Sequence, residues 1–157
     1  MKIRRYEEKD LKQIINLFYD TVHFVNRKDY SEEQVNAWAP LNEKASKFTT
    51  WGNSLSQNTT FVALDHTQII GFCDLTSAGM LDRLYIHHDF QRRGVASALL
   101  DEIELAAFRM QLKKLITEAS LTAKPFFECK GFETITKQIV NKNGITMSNY
   151  LMVKKLK

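Results

Sequence analysis

The sequence predicts an α/β domain with a mixed, mostly antiparallel sheet of about seven strands. Three patterns point to this class. Apolar residues recur at helical spacing early in the chain, residues 60–87 form short strand-like runs separated by turns, and Asn143-Gly144 divides two long strand-like segments. Helical and strand-like periods alternate along the chain without a linker or an internal repeat, which favours a single layered domain.

One strand and three helices are predicted before residue 60. Residues 2–6 alternate polar and apolar side chains, as a strand does. Two pairs with the three-residue spacing of a capping box precede helical patterns: Asp10 with Gln13, and Ser31 with Gln34. The first helix carries an apolar stripe formed by Leu11, Ile14, Ile15, Phe18, Val22 and Val25. Pro40 ends the second helix, and residues 45–57 predict a third.

The remaining elements begin with three strands in antiparallel succession. They are residues 60–64, 69–75 and 80–87, with a turn at 65–68. A long helix from Val95 follows, then a strand at 114–119, a short helix at 122–130 that Gly131 ends, and two strands at about 133–141 and 145–155. Asn143-Gly144 joins the last two strands, since both residues tolerate the positive φ angles of a tight hairpin turn.

Composition excludes several classes of protein. The 157 residues suffice for one domain, and 44% hydrophobic with 25% charged residues is a globular composition. No apolar run approaches the length of a membrane span, and the N-terminal MKIRRYEEKD lacks the apolar stretch of a secretory signal, so we expect a cytoplasmic protein with no membrane partner. Cys73 and Cys129 are expected to be free thiols in the core. The net charge of +4 suits an anionic ligand or weak nucleic-acid contact, but a mildly basic surface explains it more simply, and we expect no nucleic-acid partner.

The stretch from Leu84 to Leu100 is the most informative for chemistry. It combines a strand end, a basic loop, Gly94 and a helix that opens with small residues. Backbone amides at a helix N-terminus have no partner within the helix and carry partial positive charge, so they suit phosphate, and a glycine lets the backbone approach a bulky anion. Arg92 and Arg93 can add charge-assisted bonds. The pattern predicts an anion cradle, although an ordinary loop with two solvated arginines fits the loop equally well.

The segment Gln91-Arg92-Arg93-Gly94-Val95-Ala96 resembles the central Gln/Arg-x-x-Gly-x-Gly/Ala motif of the GNAT N-acetyltransferase superfamily. The flanks agree with this resemblance. Residues 81–87 are similar to the family's fourth strand, residues 123–132 to its later helix and the Gly-Phe that follows, and residues 150–156 to its last strand. Residues 30–39 resemble a bacterial YafP-type subgroup. The resemblance implies a sheet flanked by helices on both faces.

The same resemblance implies an acyltransferase that uses acetyl-CoA. The pantetheine arm would run beside the predicted fourth strand, at Leu84, Tyr85 and Ile86, and the pyrophosphate would meet the loop and the helix start. The residues implied to bind the cofactor there are Gln91, Arg92, Arg93, Gly94, Val95, Ala96 and Ser97. Phe126 and Phe127 would face the cofactor from the later helix, or one of them would belong to the core.

Transfer to an amine requires a base, because an amine of the lysine type has a pKa of about 10.4 and arrives protonated. The expected reaction is direct attack through a tetrahedral intermediate, with an N–H near Ile86 as an oxyanion donor. Asp82 is the first candidate for the base, on the expectation that it shares a strand face with Leu84 and Ile86. Glu118 and Asp74 are the alternatives.

Many members of the resembled family have a tyrosine that protonates the departing thiolate. Phe127 stands at its place in this chain and has no proton to give. Tyr150 is the first candidate replacement and Tyr85 the second. The missing tyrosine keeps a second function open, a non-catalytic CoA-binding sensor or interaction module.

The acceptor is expected to be a primary amine of a small molecule or peptide. Its pocket should come from residues 20–55 and the last hairpin, with His23, Tyr30 and Trp38 as the candidate substrate residues, although Trp38 is also suited to packing the helices onto the sheet. No metal is expected, since His87 and His88 are adjacent on a strand and should point to opposite faces. The oligomeric state stays open, with a homodimer as one candidate.

Overall fold

A seven-stranded sheet with helices on both faces forms the framework of the computed structural model, which describes residues 1–157. The strands are β1 (Lys2–Arg5), β2 (Thr59–Asp65), β3 (Gln68–Leu75), β4 (Met80–Ile86), β5 (Lys114–Ser120), β6 (Glu133–Lys142) and β7 (Ile145–Lys155). The helices are α1 (Leu11–Phe24), α2 (Glu32–Trp38), α3 (Lys47–Gln57), α4 (Val95–Arg109) and α5 (Lys124–Cys129). The predicted fold class is confirmed. None of the helices has the length and apolar composition that a bilayer crossing requires.

The strand order is β1-β2-β3-β4-β5-β7-β6, and only the β4–β5 pair is parallel. Short turns join β2 to β3, β3 to β4 and β6 to β7, and the long crossover through α4 brings β5 alongside β4. At the last hairpin Asn143 and Gly144 have φ angles of 51° and 84°, as a tight hairpin turn requires, so the turn predicted there is confirmed.

Each face of the sheet has its own hydrophobic core. Helices α4 and α5 pack on one face, and the core between helices and strands there includes Leu99, Ile103, Leu115, Phe127 and Met152. Helices α1, α2 and α3 pack on the other face, where the core includes Ile14, Ile15, Phe18, Val35 and Phe72. Burying one leucine such as Leu99, which is fully enclosed, contributes roughly 1.5–3 kcal/mol. The two cores hold the sheet rigidly between them and so fix the positions of the strand ends.

The two predicted capping boxes have different outcomes. Ser31 and Gln34 exchange hydrogen bonds of 2.9 and 3.1 Å at the start of α2, as expected. The box at Asp10 and Gln13 is wrong: Asp10 instead accepts from Arg4 at 2.7 and 2.9 Å and from the Glu7 amide at 2.8 Å. Arg4 offers a charged partner that a backbone amide of the next turn cannot match, so the carboxylate turns back toward β1.

The two cysteines are free thiols in different environments. Cys73 lies in the core beside α4, and burial raises the pKa of its thiol well above the ordinary value. Cys129, which was expected in the core, is exposed at the end of α5. A helix of six residues has only a narrow buried face, and Phe127 occupies it.

Candidate cofactor and acceptor site

The sheet opens between β4 and β5. These strands pair only at Met80 with Ile116 and at Leu81 with Thr117, and beyond those pairs they diverge. The Thr117 hydroxyl donates to the Leu81 carbonyl at 3.0 Å and holds the two strands together where the opening starts. A gap edged by backbone groups therefore lies in the middle of an otherwise continuous sheet.

The backbone of β4 presents Leu84 and Ile86 to this gap. The His87 amide donates to the Ile70 carbonyl at 2.8 Å, which makes that antiparallel pair a hydrogen-bonded one. Because bonded and non-bonded pairs alternate along an antiparallel ladder, Tyr85 bonds to β3 while Leu84 and Ile86 point their N–H and C=O groups away from it. The Ile86 carbonyl is already occupied by Thr21 and Gln91, at 2.9 and 2.7 Å.

The loop after β4 leads to a row of free amides. The amides of residues 92–97 donate no hydrogen bond within the protein, and the first bond of α4 runs from Ala98 to the Gly94 carbonyl. Arg92 and Gly94 have φ angles of 61° and 81°, in the left-handed region, so the turn brings these amides together. No heavy atom lies within 4 Å of where a Gly94 Cβ would stand. The turn is thus open, positive and shaped to receive a bulky anion.

The side chains of two residues of the predicted cradle make contacts within the protein. The Gln91 side chain donates to the Ile86 carbonyl at 2.7 Å, so it anchors the loop to the end of β4. The Val95 side chain is buried against β3 and only its backbone faces the turn. Arg92 and Arg93 form no salt bridge within the protein and are exposed, and the Arg93 guanidinium lies 5.2 Å from the Phe90 ring centre.

Helix α5 places only one phenylalanine at an accessible position. Phe127 is 3% exposed and packs against Phe132 with ring centres 5.0 Å apart. Phe127 is therefore a core residue, which was the second of the two alternatives for this pair. Phe126 is half-buried, and the Lys130 ammonium lies 5.9 Å from its ring centre.

Asp82 stands at the start of the opening, but not as predicted. Arg83 pairs with Asp74 and Leu81 with Leu75, which leaves Asp82 as the extra residue of a β-bulge. The bulge interrupts the alternation of side chains, so Leu81 shares the α4 face with Leu84 and Ile86, whereas Asp82 lies 3.5 Å from Arg83. The side chain is 51% exposed and is not enclosed by apolar neighbours.

A buried ion pair between Asp74 and Arg83 lies next to Asp82. Asp74 is fully buried and accepts from the Arg83 guanidinium, with a shortest distance of 2.7 Å, and from Asn58 at 2.9 Å. Burial raises the pKa of Asp74, and Arg83 opposes that shift. Because these bonds occupy its carboxylate, Asp74 cannot serve as the alternative base. Glu118 is exposed and accepts from Gln138 at 2.8 Å on the other edge of the opening, where it follows Thr117.

Aromatic side chains line the sheet face under α1, α2 and α3. Tyr85 contacts Phe18 and Phe72, with ring centres 5.0 and 5.7 Å apart, and Trp38 lies 6.5 Å from it. Trp51 extends the group from α3, 4.7 Å from Phe18. The Tyr85 ring therefore lies on the face opposite to the Leu84 and Ile86 side chains. Since its backbone bonds to β3 as well, Tyr85 forms a wall of this aromatic pocket, and neither its ring nor its backbone groups face the gap.

The three predicted substrate residues do not meet in one place. Trp38 lies in the aromatic pocket and contacts both Tyr30 and Tyr85. Tyr30 is 6% exposed, and its hydroxyl donates to the Ser148 carbonyl at 2.7 Å and accepts from the Leu121 amide at 2.9 Å, so it joins β7 to the end of β5. His23 Nε2 lies 2.9 Å from the Ala39 carbonyl and positions the end of α2.

Sequence reasoning missed the cationic part of this pocket. Arg83 lies over the Trp51 ring at 4.8 Å, and Lys47 lies 5.4 Å from the same ring centre. Lys47 and Arg83 had no distinguishing signal in the sequence, because 35 residues lie between them. Only the packing of α3 against β4 brings them together.

The expectation that His87 and His88 point to opposite faces of a strand is wrong. β4 ends at Ile86, so His87 and His88 lie in the turn after it, and their rings stack with centres 4.4 Å apart. With Asp89 they form a cluster whose ligand-type atoms lie within 4.8 Å of one another. His87 Nδ1 accepts from the Asp89 amide at 3.0 Å, and burial followed by the charge of His88 lowers the pKa of His87.

Comparison with known proteins places this geometry in a family. The family described as "Acetyltransferase (GNAT) domain" matches residues 26–154. The Uncharacterized N-acetyltransferase YafP of Escherichia coli K12 is 33% identical over 152 residues, covering 97% of this chain and 94% of that protein.

Solved structures agree with this match over almost the whole chain. The GCN5-related N-acetyltransferase of Rhodopseudomonas palustris superposes with a TM-score of 0.92 at 30% identity, covering 99% of this chain and 95% of that one. The PaiA N-acetyltransferase of Thermoplasma acidophilum, solved with coenzyme A, has the same fold with a TM-score of 0.79 at 18% identity, covering 99% and 98%. The chain therefore belongs to the GNAT acetyltransferase family and is an acyltransferase.

Proposed function

We propose that this chain transfers the acetyl group of acetyl-CoA to a primary amine of a small molecule or peptide, by direct attack of the amine. The observation that carries the proposal is the row of free amides at residues 92–97, which lies at one end of the gap between β4 and β5. Acetyl-CoA is the cofactor, as family membership leads one to expect. It combines a pyrophosphate with a long arm that forms hydrogen bonds, and the site offers partners for both.

The residues that would hold the cofactor follow from the free groups. The amides from Arg92 to Ser97 would bind the pyrophosphate, and Arg92 and Arg93 would add charge-assisted bonds. The N–H and C=O of Leu84 and the N–H of Ile86 would bind the pantetheine arm, since they face the gap. Phe126 would contact it from α5. When bound, acetyl-CoA supplies an acetyl group on a thioester that an amine can attack.

Asp82 is the residue we assign as the base. Its carboxylate is accessible, lies where the strands part and is on the edge of the aromatic pocket through its contact with Arg83. It can take a proton from an arriving ammonium, directly or through one water. Arg83 remains paired with Asp74 throughout, so its charge does not require Asp82 as a partner.

Tyr150 is the residue we assign as the acid. It lies on β7 opposite Ala119 of β5, partly buried on the α5 side of the sheet. Its hydroxyl makes no hydrogen bond within the protein and can therefore donate a proton to a departing thiolate. Lys124 lies over its ring at 5.1 Å. The alternative function, a CoA-binding sensor without catalysis, is favoured only by the phenylalanine at position 127.

A thiol-release assay with acetyl-CoA over a panel of amines tests the proposal, with CoA affinity measured by calorimetry. We expect Asp82→Asn to lower kcat roughly 10²-fold or more, the usual contribution of a general base, and to leave the CoA affinity unchanged. Asp65→Asn is the matched control, because Asp65 is a similarly accessible aspartate, 45% exposed, at the end of β2 and not on β4 or β5.

Three outcomes would revise the proposal. Unchanged turnover in Asp82→Asn together with a large loss in Glu118→Gln would move the base to β5. CoA binding without transfer to any amine would support the sensor. Absence of CoA binding would refute both functions.

A further inference from the structure

Lys47 is a partly buried ammonium without an acidic partner. It lies in the first turn of α3 and takes part in none of the salt bridges of the chain. Its Nζ instead lies 5.5 Å from the Phe18 ring centre and 5.4 Å from that of Trp51. Burial lowers the pKa of Lys47, and Glu43 opposes this shift. Aromatic faces, with Glu43 beyond salt-bridge distance, only partly compensate this charge for its lost hydration.

Arg83, the other cation that lies over the Trp51 ring, already has an acidic partner. Arg83 is neutralised by the buried carboxylate of Asp74 at 2.7 Å. Lys142, the last residue of β6, adds to the positive potential at Lys47 and so favours the binding of an anion there. The Asn143 side chain donates to the Ala37 carbonyl at 2.9 Å, so the hairpin is held against α2 on this side of the sheet.

Charges of opposite sign lie on the two sides of the contact between Arg83 and Trp51: Asp82 is 3.5 Å from Arg83, and Lys47 is 5.4 Å from the Trp51 ring centre. Asp82 lies on the sheet side, where β4 and β5 part. Lys47 lies on the helix side, and the Phe18 ring separates it from Tyr85. An acceptor that carries an ammonium and a carboxylate, with a spacer between them, matches this arrangement of charges.

We propose that the acceptor is an amine that also bears a carboxylate, and that Lys47 binds this carboxylate while the amine lies toward Asp82. The inference rests on the proposed acetyl transfer and narrows its substrate class to amino acids or short peptides. Trp51, which is partly exposed, then contacts the apolar spacer, and the bound carboxylate adds the counter-charge that no salt bridge of the chain supplies to Lys47.

Matched acceptors test this assignment. We expect the wild-type chain to acetylate 4-aminobutyrate or 6-aminohexanoate with a higher kcat/KM than butylamine or hexylamine. Lys47→Met should raise the KM for the amino acids about 10- to 150-fold, the loss of one charge-assisted bond, and change the values for the alkylamines less than about twofold. Lys44→Met is the control, because Lys44 lies over the Tyr19 ring at 5.5 Å in the same manner but outside this pocket.

The outcomes separate the inference from the proposed function. Equal preference for the two acceptor classes in the wild type, or equal effects of Lys47→Met and Lys44→Met, overturns the carboxylate site while acetyl transfer stands. If no amine in the panel reacts, calorimetry of 6-aminohexanoate with the CoA complex decides: binding that Lys47→Met abolishes supports the site, and no binding to the wild type overturns it. Failure to bind CoA, measured without any acceptor, refutes the proposed function and the inference with it.

Discussion

Gly94 offers a sharp test of the cofactor cradle. Its φ of 81° lies in the left-handed region, and the space where a Cβ would stand is empty. Gly94→Ala therefore has two separable effects. The backbone must either keep a conformation that costs an L-residue roughly 1–2 kcal/mol or relax out of it. The new methyl group also projects into the open turn where we expect the pyrophosphate.

The magnitude follows from the amides that the turn assembles. Residues 92–97 contribute six free N–H groups, and a bond from one of them to a phosphate oxygen is charge-assisted. Losing one such bond costs about 1.5–3 kcal/mol, which weakens CoA binding roughly 10- to 150-fold. We thus expect a loss of stability of about 1–2 kcal/mol in Gly94→Ala and a loss of affinity in addition to it.

Gly144 provides the matched control. Its φ is 84°, and the space around its absent Cβ is also empty, but it lies at the tip of the β6–β7 hairpin. Thermal unfolding should show similar destabilisation of Gly144→Ala and Gly94→Ala. Calorimetry with CoA should show weakened binding for Gly94→Ala alone. If both variants bind CoA as the wild type does, the amides of this turn do not hold the pyrophosphate.

Two further predictions concern stability. Asp74→Ala should lower the free energy of unfolding by about 3–5 kcal/mol in a urea titration, because it leaves the Arg83 guanidinium buried without a counter-charge; a loss below about 1 kcal/mol would mean that Arg83 finds solvent. Burial alone would raise the pKa of Asp10, but the bonds from Arg4 and the Glu7 amide outweigh it and lower that pKa. The stability from Asp10 is therefore present above its unfolded pKa of about 3.9 and is lost as pH falls through the lower folded pKa. Urea titrations at pH 6 and pH 3 should show less acid sensitivity in Arg4→Gln than in the wild type, and equal sensitivity would contradict the assignment.

Much of the fold could be predicted because local rules determine it. Ser31 with Gln34 caps a helix through bonds between near neighbours, and Asn143-Gly144 makes a hairpin turn through its own φ preferences. Gly94 likewise combines a left-handed φ with a helix start. In each case the physical requirement lies within a few residues, so the local sequence is enough to state it.

Other features near the site could not be predicted from local patterns. The bulge at Asp82 interrupts the alternation on which the face predicted for its side chain rested, because strict alternation assumes a regular ladder. Gln91 was expected to bind the cofactor, and its side chain also donates to the Ile86 carbonyl at 2.7 Å, a contact that no local pattern indicated. His87 and His88 were expected on opposite faces, but the strand ends one residue earlier and the turn stacks their rings.

The sequence by itself determined the order of elements, the family and the glycine turn before α4, because backbone conformation there depends on neighbouring residues. Only the tertiary structure decided the aromatic and cationic cluster on the other face of the sheet. Phe18, Lys47, Trp51 and Arg83 come from three elements far apart along the chain, and their contacts arise from the packing of α1 and α3 on β4. No spacing in the sequence encodes such a meeting, since packing over long chain separations depends on the summed burial of many side chains and not on any local pattern.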